Sequence, residues 1–236
     1  MLEFAAHGFE ERDLPGRLEL AVYGGAEIEQ ELRAHFDDVS SERVEAGWED
    51  RWRAFHRPVE IGALWVGPPW EEPRAELVGV VIDPGRAFGT GAHPTTRLCL
   101  ELLQEVEPAG VLDVGCGSGV LSIAAAKLGF EPVLAIDNDP DAIEATLENA
   151  RANGVSLEAR LADGLADPLP KAGIVVANIS CQVLEALAPR LRSPCLIASG
   201  FLATERPALV GYEVAKRLES GEWAAVLAQS AIQNVP

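Results

Sequence analysis

The sequence predicts an α/β protein: a mostly parallel sheet with helices on both faces, preceded by a small α+β segment. Three observations carry that expectation. From residue 110 onward, short apolar runs alternate with helical stretches, the pattern of a sheet buried on both faces. The first run, Val111-Leu112-Asp113-Val114, enters the glycine-rich turn Gly115-Cys116-Gly117-Ser118-Gly119. The chain then closes on Tyr212 to Leu218 and Trp223 to Ala228, flanking Glu219-Ser220-Gly221-Glu222, which predicts an antiparallel hairpin.

In chain order, residues 1–40 are acidic and weakly patterned, with a strand over Leu18 to Tyr23 ended by Gly24-Gly25 and a helix over Glu27 to Phe36. Residues 41–58 read as a linker helix stopped by Pro58, with Trp48, Trp52 and Phe55 on one face. That face is expected to pack on a neighbour. A catalytic domain is expected over 59–236. Its first strands are Ala63 to Val66 and Leu77 to Ile82. Leu98, Leu102 and Val106 then predict a helix over Arg97 to Val106. After the glycine turn come a helix over Val120 to Leu128, closed by Gly129, and a strand over Val133 to Ile136. Asp139-Pro140 opens a helix to about Asn153, ended by Gly154. Strands follow at Leu157 to Leu161, Ile174 to Ala177 and Leu196 to Ser199, with helices over Val183 to Leu191 and Thr204 to Val210.

Composition narrows the function classes. The 236 residues carry 19 Lys and Arg against 37 Asp and Glu, a net charge of −18. This argues against binding along a phosphate backbone and fits a small molecule or a basic protein partner. No apolar run reaches the roughly 18 residues of a membrane span, and Met1 to Pro15 has no basic patch followed by an apolar stretch and does not read as a signal peptide, so a cytoplasmic protein is expected. Cys99, Cys116, Cys181 and Cys195 form no CxxC pair and read as small buried thiols. No metal site is expected.

The glycine turn carries the chemistry. It lies where ligands of open α/β sheets bind, beyond the carboxyl end of a strand. Asp137 ends the next strand, 22 residues after Gly115, the distance at which a carboxylate accepts from ribose hydroxyls. The spacing G-x-G-x-G is neither the dinucleotide fingerprint nor a phosphate loop, so the ligand has a ribose without a pyrophosphate. S-adenosylmethionine fits, although a glycine turn alone also serves nicotinamide cofactors.

Asn178 ends the fourth strand at the rim of the same cleft. Its carbonyl suits an amine acceptor site; its alternative role is a helix N-cap. Asp163, before Gly164, is placed near an adenine or serves only as a turn residue. The Phe88-Gly89-Thr90-Gly91 loop folds over a ligand or merely connects. His93 is a possible base or a structural histidine. No Ser/His/Asp set is evident.

Several of these segments together resemble one family. They are Phe88 to Thr96, Val111 to Gly119, Ala135 to Pro140, Val176 to Ile179 and Gly221-Glu222-Trp223. Trp48 to Phe55 and Ile61 to Trp70 match as well. The family is the methyltransferase that modifies large-subunit ribosomal protein eleven, and the likeness spans about residues 45 to 229. It implies a seven-stranded Rossmann-like, S-adenosylmethionine-dependent methyltransferase fold with the last strand antiparallel. It implies trimethylation of lysine ε-amines and an N-terminal α-amine. It also implies cofactor contacts from Thr96, Gly115, Asp137 and Asn178, with Phe88, Gly117 and Asp163 lining the pocket. The family's recognition domain is larger than the roughly 40 residues that precede the linker, so either the recognition segment is reduced or the true start lies upstream. A monomer acting on a ribosomal protein, without direct nucleic-acid or membrane binding, is the leading reading. The alternative is a small-molecule methyltransferase on the same core. A nucleic-acid amine methyltransferase is opposed by the charge and by Asn178-Ile179-Ser180, which lacks prolines and a stacking ring. A non-catalytic binding protein is opposed by the intact glycine turn, Asp137 and Asn178.

Overall fold

The computed structural model describes residues 9–14, 17–22, 26–36, 38–41, 56–84, 89 and 91–231. The chain forms two compact units, residues 1–55 and 56–236. In the first, β1 (Phe9–Leu14) pairs antiparallel with β2 (Arg17–Val22), and α1 (Ala26–His35) follows. β2 and α1 were expected; β1 was not. Its centre, Glu10-Glu11-Arg12-Asp13, has no apolar alternation, and the readable signal was the Pro15-Gly16 pair between the strands. Most of the linker helix expected over 41–58, with Trp48, Trp52 and Phe55, lies outside the described residues. Residues 56–58 are not helical.

The second unit opens with a three-stranded sheet. β3 (Val59–Ile61) is antiparallel to β4 (Leu64–Gly67), which is parallel to β5 (Val78–Val81). Helix α2 (Pro94–Leu103) leads into the main sheet. Its strands are β6 (Val111–Val114), β7 (Val133–Asp137), β8 (Glu158–Leu161), β9 (Ile174–Asn178), β10 (Cys195–Leu202), β11 (Tyr212–Ser220) and β12 (Trp223–Ser230). Their spatial order is β8-β7-β6-β9-β10-β12-β11. β8 through β10 are parallel, and β12 is antiparallel to both β10 and β11. This is the expected seven-stranded sheet with its last strand reversed.

Side chains alternate between two cores. Val111, Ile174, Val176 and Ile197 face α2 and α3 (Val120–Lys127), while Leu112, Val175, Ala177, Leu196 and Ala198 face α5 (Cys181–Leu187). Burial on both faces explains why these strands read as continuous apolar runs. By the same alternation Asp113 and Asn178 point to the α2–α3 face.

Several boundaries moved for physical reasons. Helix α2 starts at Pro94, capped by the His93 side chain, and ends at Leu103, which leaves Val106 outside it. Helix α5 starts at Cys181 and stops at Leu187, where a 3-10 turn (Ala188–Arg190) takes over. Pro189 has no N–H to give to Glu185 and would crowd that carbonyl, so the expected run to Leu191 does not form. The expected helix over Thr204 to Val210 is absent. Ala208 N–H, which a helix would give to Thr204 O, instead binds Glu185 Oε1 at 2.8 Å, and the Glu205 side chain turns back to accept from Leu202 N–H at 2.6 Å. Pro207 also disfavours helical backbone at Arg206. Among the described residues, no helix is long and apolar enough to cross a membrane, and no group of His, Cys, Asp or Glu could hold a metal ion. The four cysteines are free, with Cys99 and Cys116 buried and Cys181 and Cys195 half-buried.

Candidate active site

The main sheet changes direction between β6 and β9. The chain proceeds outward through β7 and β8, then returns to the other side of β6. Ligands of open α/β sheets bind at such a switch point, beyond the carboxyl ends of the strands. The four strand ends there supply the residues singled out from the sequence. Asn178 is the last residue of β9, Gly115 follows β6, Asp137 ends β7, and Asp163 lies two residues past β8. Four adjacent parallel strands span three steps, about 14 Å, enough for a nucleoside carrying an amino-acid tail.

The glycine turn is folded by its own backbone. Gly115 N–H and Cys116 N–H both donate to Ile136 O, at 2.9 and 3.1 Å. Gly115, Gly117 and Gly119 have φ of 77°, 54° and 80°, in the left-handed region that side chains rarely adopt. Gly119 has a second constraint, since a Cβ there would lie 2.9 Å from Thr146 Cγ2. Asp137 Oδ2 accepts from Gly117 N–H and Oδ1 from Asp139 N–H, both at 3.0 Å. Each oxygen keeps a second lone pair, so the carboxylate holds the turn and can still accept from two hydroxyls.

Across the switch point, Asn178 Nδ2 donates to Thr96 Oγ1 at 3.3 Å. Thr96 is fully buried in the first turn of α2. With the amide nitrogen facing Thr96, Oδ1 is the group left to accept a hydrogen bond. Ser180 takes the N-cap position of α5, so the alternative role weighed for Asn178 is filled by another residue. The exit of β9 lies tight on β10. Gly200, at a bulge with φ 95°, admits it, because a Cβ there would sit 2.2 Å from Ile179 O.

Asp163 is exposed and performs its turn role, accepting from Leu165 N–H at 2.8 Å through Oδ1. Its neighbour Gly164 lies against β6, where a Cβ would be 2.9 Å from Val114 Cγ1. His93 is structural: Nδ1 accepts from Thr95 N–H at 3.3 Å, and the ring meets the Trp223 ring edge-on at 4.9 Å. Phe88 and Thr90 lie outside the described residues; Gly89 and Gly91 are described.

Two features of the site were not singled out from the sequence. One is Asp113. It is fully buried, its Oδ2 accepts from Ser122 Oγ at 2.6 Å, and its Oδ1 has no partner among the described residues. Burial pushes its carboxyl up to about 6, the Ser122 hydrogen bonds pull it back, and the charge of Asp137 adds to the rise. Burial likewise pushes the Cys116 thiol, inside the turn, up to about 12. The other is the inner face of α4 (Pro140–Ala152), where Thr146 and Asn149 are buried. Thr146 Oγ1 donates to Gly117 O at 3.0 Å, and Asn149 Nδ2 donates to Ser118 O at 2.9 Å. Polar residues three apart on the side of an amphipathic helix that also carries Ala142 and Ala150 were the signal.

Electrostatics select the ligand class. Residues 111–126 contain no Lys or Arg, while Asp113 and Asp137 flank the turn. Such a site suits a cation and lacks the positive groups that hold phosphates. A groove of about 520 Å³ opens at the opposite ends of the same strands, lined by Val111, Val133, Leu157, Glu158 and Lys171 among others. It shares none of the polar groups gathered at the carboxyl ends.

Comparison with known proteins agrees with this arrangement. A family model described as ribosomal protein L11 methyltransferase (PrmA) matches residues 21–231. A protein of Heliobacterium modesticaldum named ribosomal protein L11 methyltransferase is 42% identical over 205 residues, covering 79% of this chain and 65% of the relative. One of Vibrio campbellii with the same name is 48% identical over 152 residues, covering 62% and 51%. The chain thus spans between half and two thirds of the length of these two relatives. The crystal structure of a ribosomal protein L11 methylase from Lactobacillus delbrueckii subsp. bulgaricus superposes with a TM-score of 0.68 at 30% identity, covering 74% of this chain and 99% of that one. With the family pattern running through both units and the sheet closed by a reversed β12, the chain belongs to the ribosomal protein L11 methyltransferase family.

Proposed function

We propose that this chain binds S-adenosylmethionine at the switch point and methylates amines of ribosomal protein L11: lysine ε-amines and the N-terminal α-amine. The observation that carries the reading is the line of Asn178, Gly115–Gly119 and Asp137 across adjacent strand ends, with two carboxylates and no basic residue at the turn. Bound there, the cofactor supplies a methyl group on a sulfonium, which a neutral amine takes as the S–C electron pair returns to sulfur.

The protein's own groups do the rest. Asp137 accepts from the ribose hydroxyls with its spare lone pairs. The turn presents backbone alone, so the ligand approaches closely. Asp163 stands at the adenine end, and Phe88 and Thr96 complete the pocket. Asn178 Oδ1 accepts an N–H of the incoming amine and aims its lone pair at the methyl group. A free lysine has a pKa of about 10.4, and desolvation beside a fixed positive charge lowers it. No side chain is needed as a dedicated base; alignment and water exclusion suffice. The net charge of −18 suits a basic protein partner. The names of the relatives favour a protein substrate over a small-molecule amine.

Two measurements test this. Labelled S-adenosylmethionine with ribosomal protein L11, followed by mass spectrometry, is expected to place methyl groups on lysines and the N-terminus. No transfer, with cofactor binding established by calorimetry, would refute the protein substrate and favour the small-molecule amine. Asp137→Ala is expected to weaken cofactor binding about tenfold, near 1.4 kcal/mol, through lost hydrogen bonds to a charged acceptor. Unchanged affinity in calorimetry would remove Asp137 from the site.

A further inference from the structure

Helix α4 touches the candidate site without reaching the cofactor cleft. Asn149 is 4% exposed and spends both ends of its amide on two different loops. Its Oδ1 accepts Asp83 N–H at 3.0 Å, where the chain leaves β5. Its Nδ2 donates to Ser118 O at 2.9 Å, inside the glycine turn. Ser118 then extends the connection, its Oγ donating to Gly89 O at 2.6 Å. Gly89 has φ of 109°, and a Cβ there would lie 3.1 Å from Ser118 Oγ, so the contact is close-packed as well as hydrogen-bonded. One turn further along the helix, Asn153 binds both polar groups of Val81 in β5, at 2.9 and 2.6 Å, and reaches neither the turn nor Gly89.

We infer that Asn149 is a positioning residue that fixes the spacing between the glycine turn and the segment bounded by Asp83 and Gly89. The geometry supports this over mere filling of a core position. A buried apolar residue would pack as well, but only an amide donates to one loop while accepting from the other. Both described ends of the segment, Asp83 and Gly89, connect through Asn149 and Ser118 to the turn that approaches the ligand most closely. Removing the amide leaves Asp83 N–H and Ser118 O without that shared partner, and only the Ser118–Gly89 hydrogen bond still ties the turn to the segment. The consequence for the cofactor rests on the methyltransferase reading; the clamp itself does not.

The test therefore has two readouts on the full chain. Residue-level hydrogen exchange without cofactor addresses the clamp. Asn149→Ala is expected to speed exchange of the Asp83 and Gly119 amides together, and Asn153→Ala to affect the β5 amides alone. Faster exchange at Asp83 only, or at neither amide, overturns the inference whatever the protein binds. Calorimetry with S-adenosylmethionine addresses the consequence. Asn149→Ala is expected to weaken binding about tenfold, while Asn153→Ala lowers the melting temperature comparably and leaves affinity within about twofold. Equal affinity losses in the two variants would assign Asn149 a merely structural role and overturn the positioning claim. Should Asn149→Ala not fold, Ser118→Ala cuts only the last link, to Gly89 O. It is expected to weaken binding about fivefold, and unchanged affinity there overturns the claim. If the unaltered protein does not bind S-adenosylmethionine, the functional reading fails, and the exchange result still decides the clamp.

Discussion

Replacing Asn178 by alanine is expected to lower methyl transfer about 100-fold while cofactor affinity stays within about threefold. The loss corresponds to roughly 2.7 kcal/mol of transition-state stabilisation, the scale of misaligning two reacting groups. The reasoning is geometric. Asn178 ends β9 on the α2–α3 face, and its amide nitrogen is turned to Thr96 Oγ1 at 3.3 Å. That leaves Oδ1 as the group free to accept from an incoming amine. Alanine keeps the strand end, the turn and Asp137, so the cofactor's main partners survive, while the amine loses the group that orients its lone pair. Thr96→Ala should lower turnover in the same direction and less, about tenfold, because the 3.3 Å hydrogen bond it removes is long and bears on the amine through Asn178. Single-turnover kinetics with separately measured affinity distinguish these outcomes. A threefold or smaller fall in turnover for Asn178→Ala would remove it from the reaction.

The parts of the fold legible in the sequence are those where burial leaves a period. β6, β9 and β10 are buried on both faces and read as unbroken apolar runs, and the glycine turn and Asp137 stand at distances set by one βαβ unit. Asn178 was legible as a strand-end residue, but that it is not the N-cap of the next helix became visible only with Ser180 in that position. Asp163 shows the converse, since its turn role is visible in a hydrogen bond to Leu165 N–H while its distance to any ligand is not. The errors fall where side chains compete for backbone groups. Glu185 takes the Ala208 amide that a helix over Thr204 to Val210 would need. β1 was invisible because its charges mask its pairing. Asp113 was passed over because a buried polar residue in an apolar stretch gives no sign of the partner it meets, and Asn149 because its place on an amphipathic helix does not name the two loops it bonds.

Asp113→Asn is expected to gain about 3 kcal/mol of stability relative to the unaltered protein between pH 4 and pH 7. In the folded protein, burial holds the Asp113 carboxyl up at about 6, whereas an exposed aspartate titrates near 3.9. Below about pH 4 the group is neutral in both states and contributes no difference. As the pH rises toward 6, the unfolded chain releases its proton while the folded chain holds it, so unfolding becomes progressively easier. Above about 6 both states are ionised and the penalty is constant at roughly 3 kcal/mol. Asparagine cannot ionise and carries no such slope. Surface pairs such as Glu219 with Arg217 hold their carboxyls below the usual range and slope the other way, but they are common to both proteins and cancel in the difference. Urea unfolding at several pH values measures it. A difference flat with pH would mean that Asp113 ionises as an ordinary carboxylate and that its Oδ1 has found a partner. The carboxyl is buried, bonded by Ser122 on one side only and set directly behind the glycine turn. A protein selected for stability alone would place an apolar residue there. A carboxylate that costs stability is expected where it offsets a cation in front of the turn, which is the charge the proposed cofactor carries.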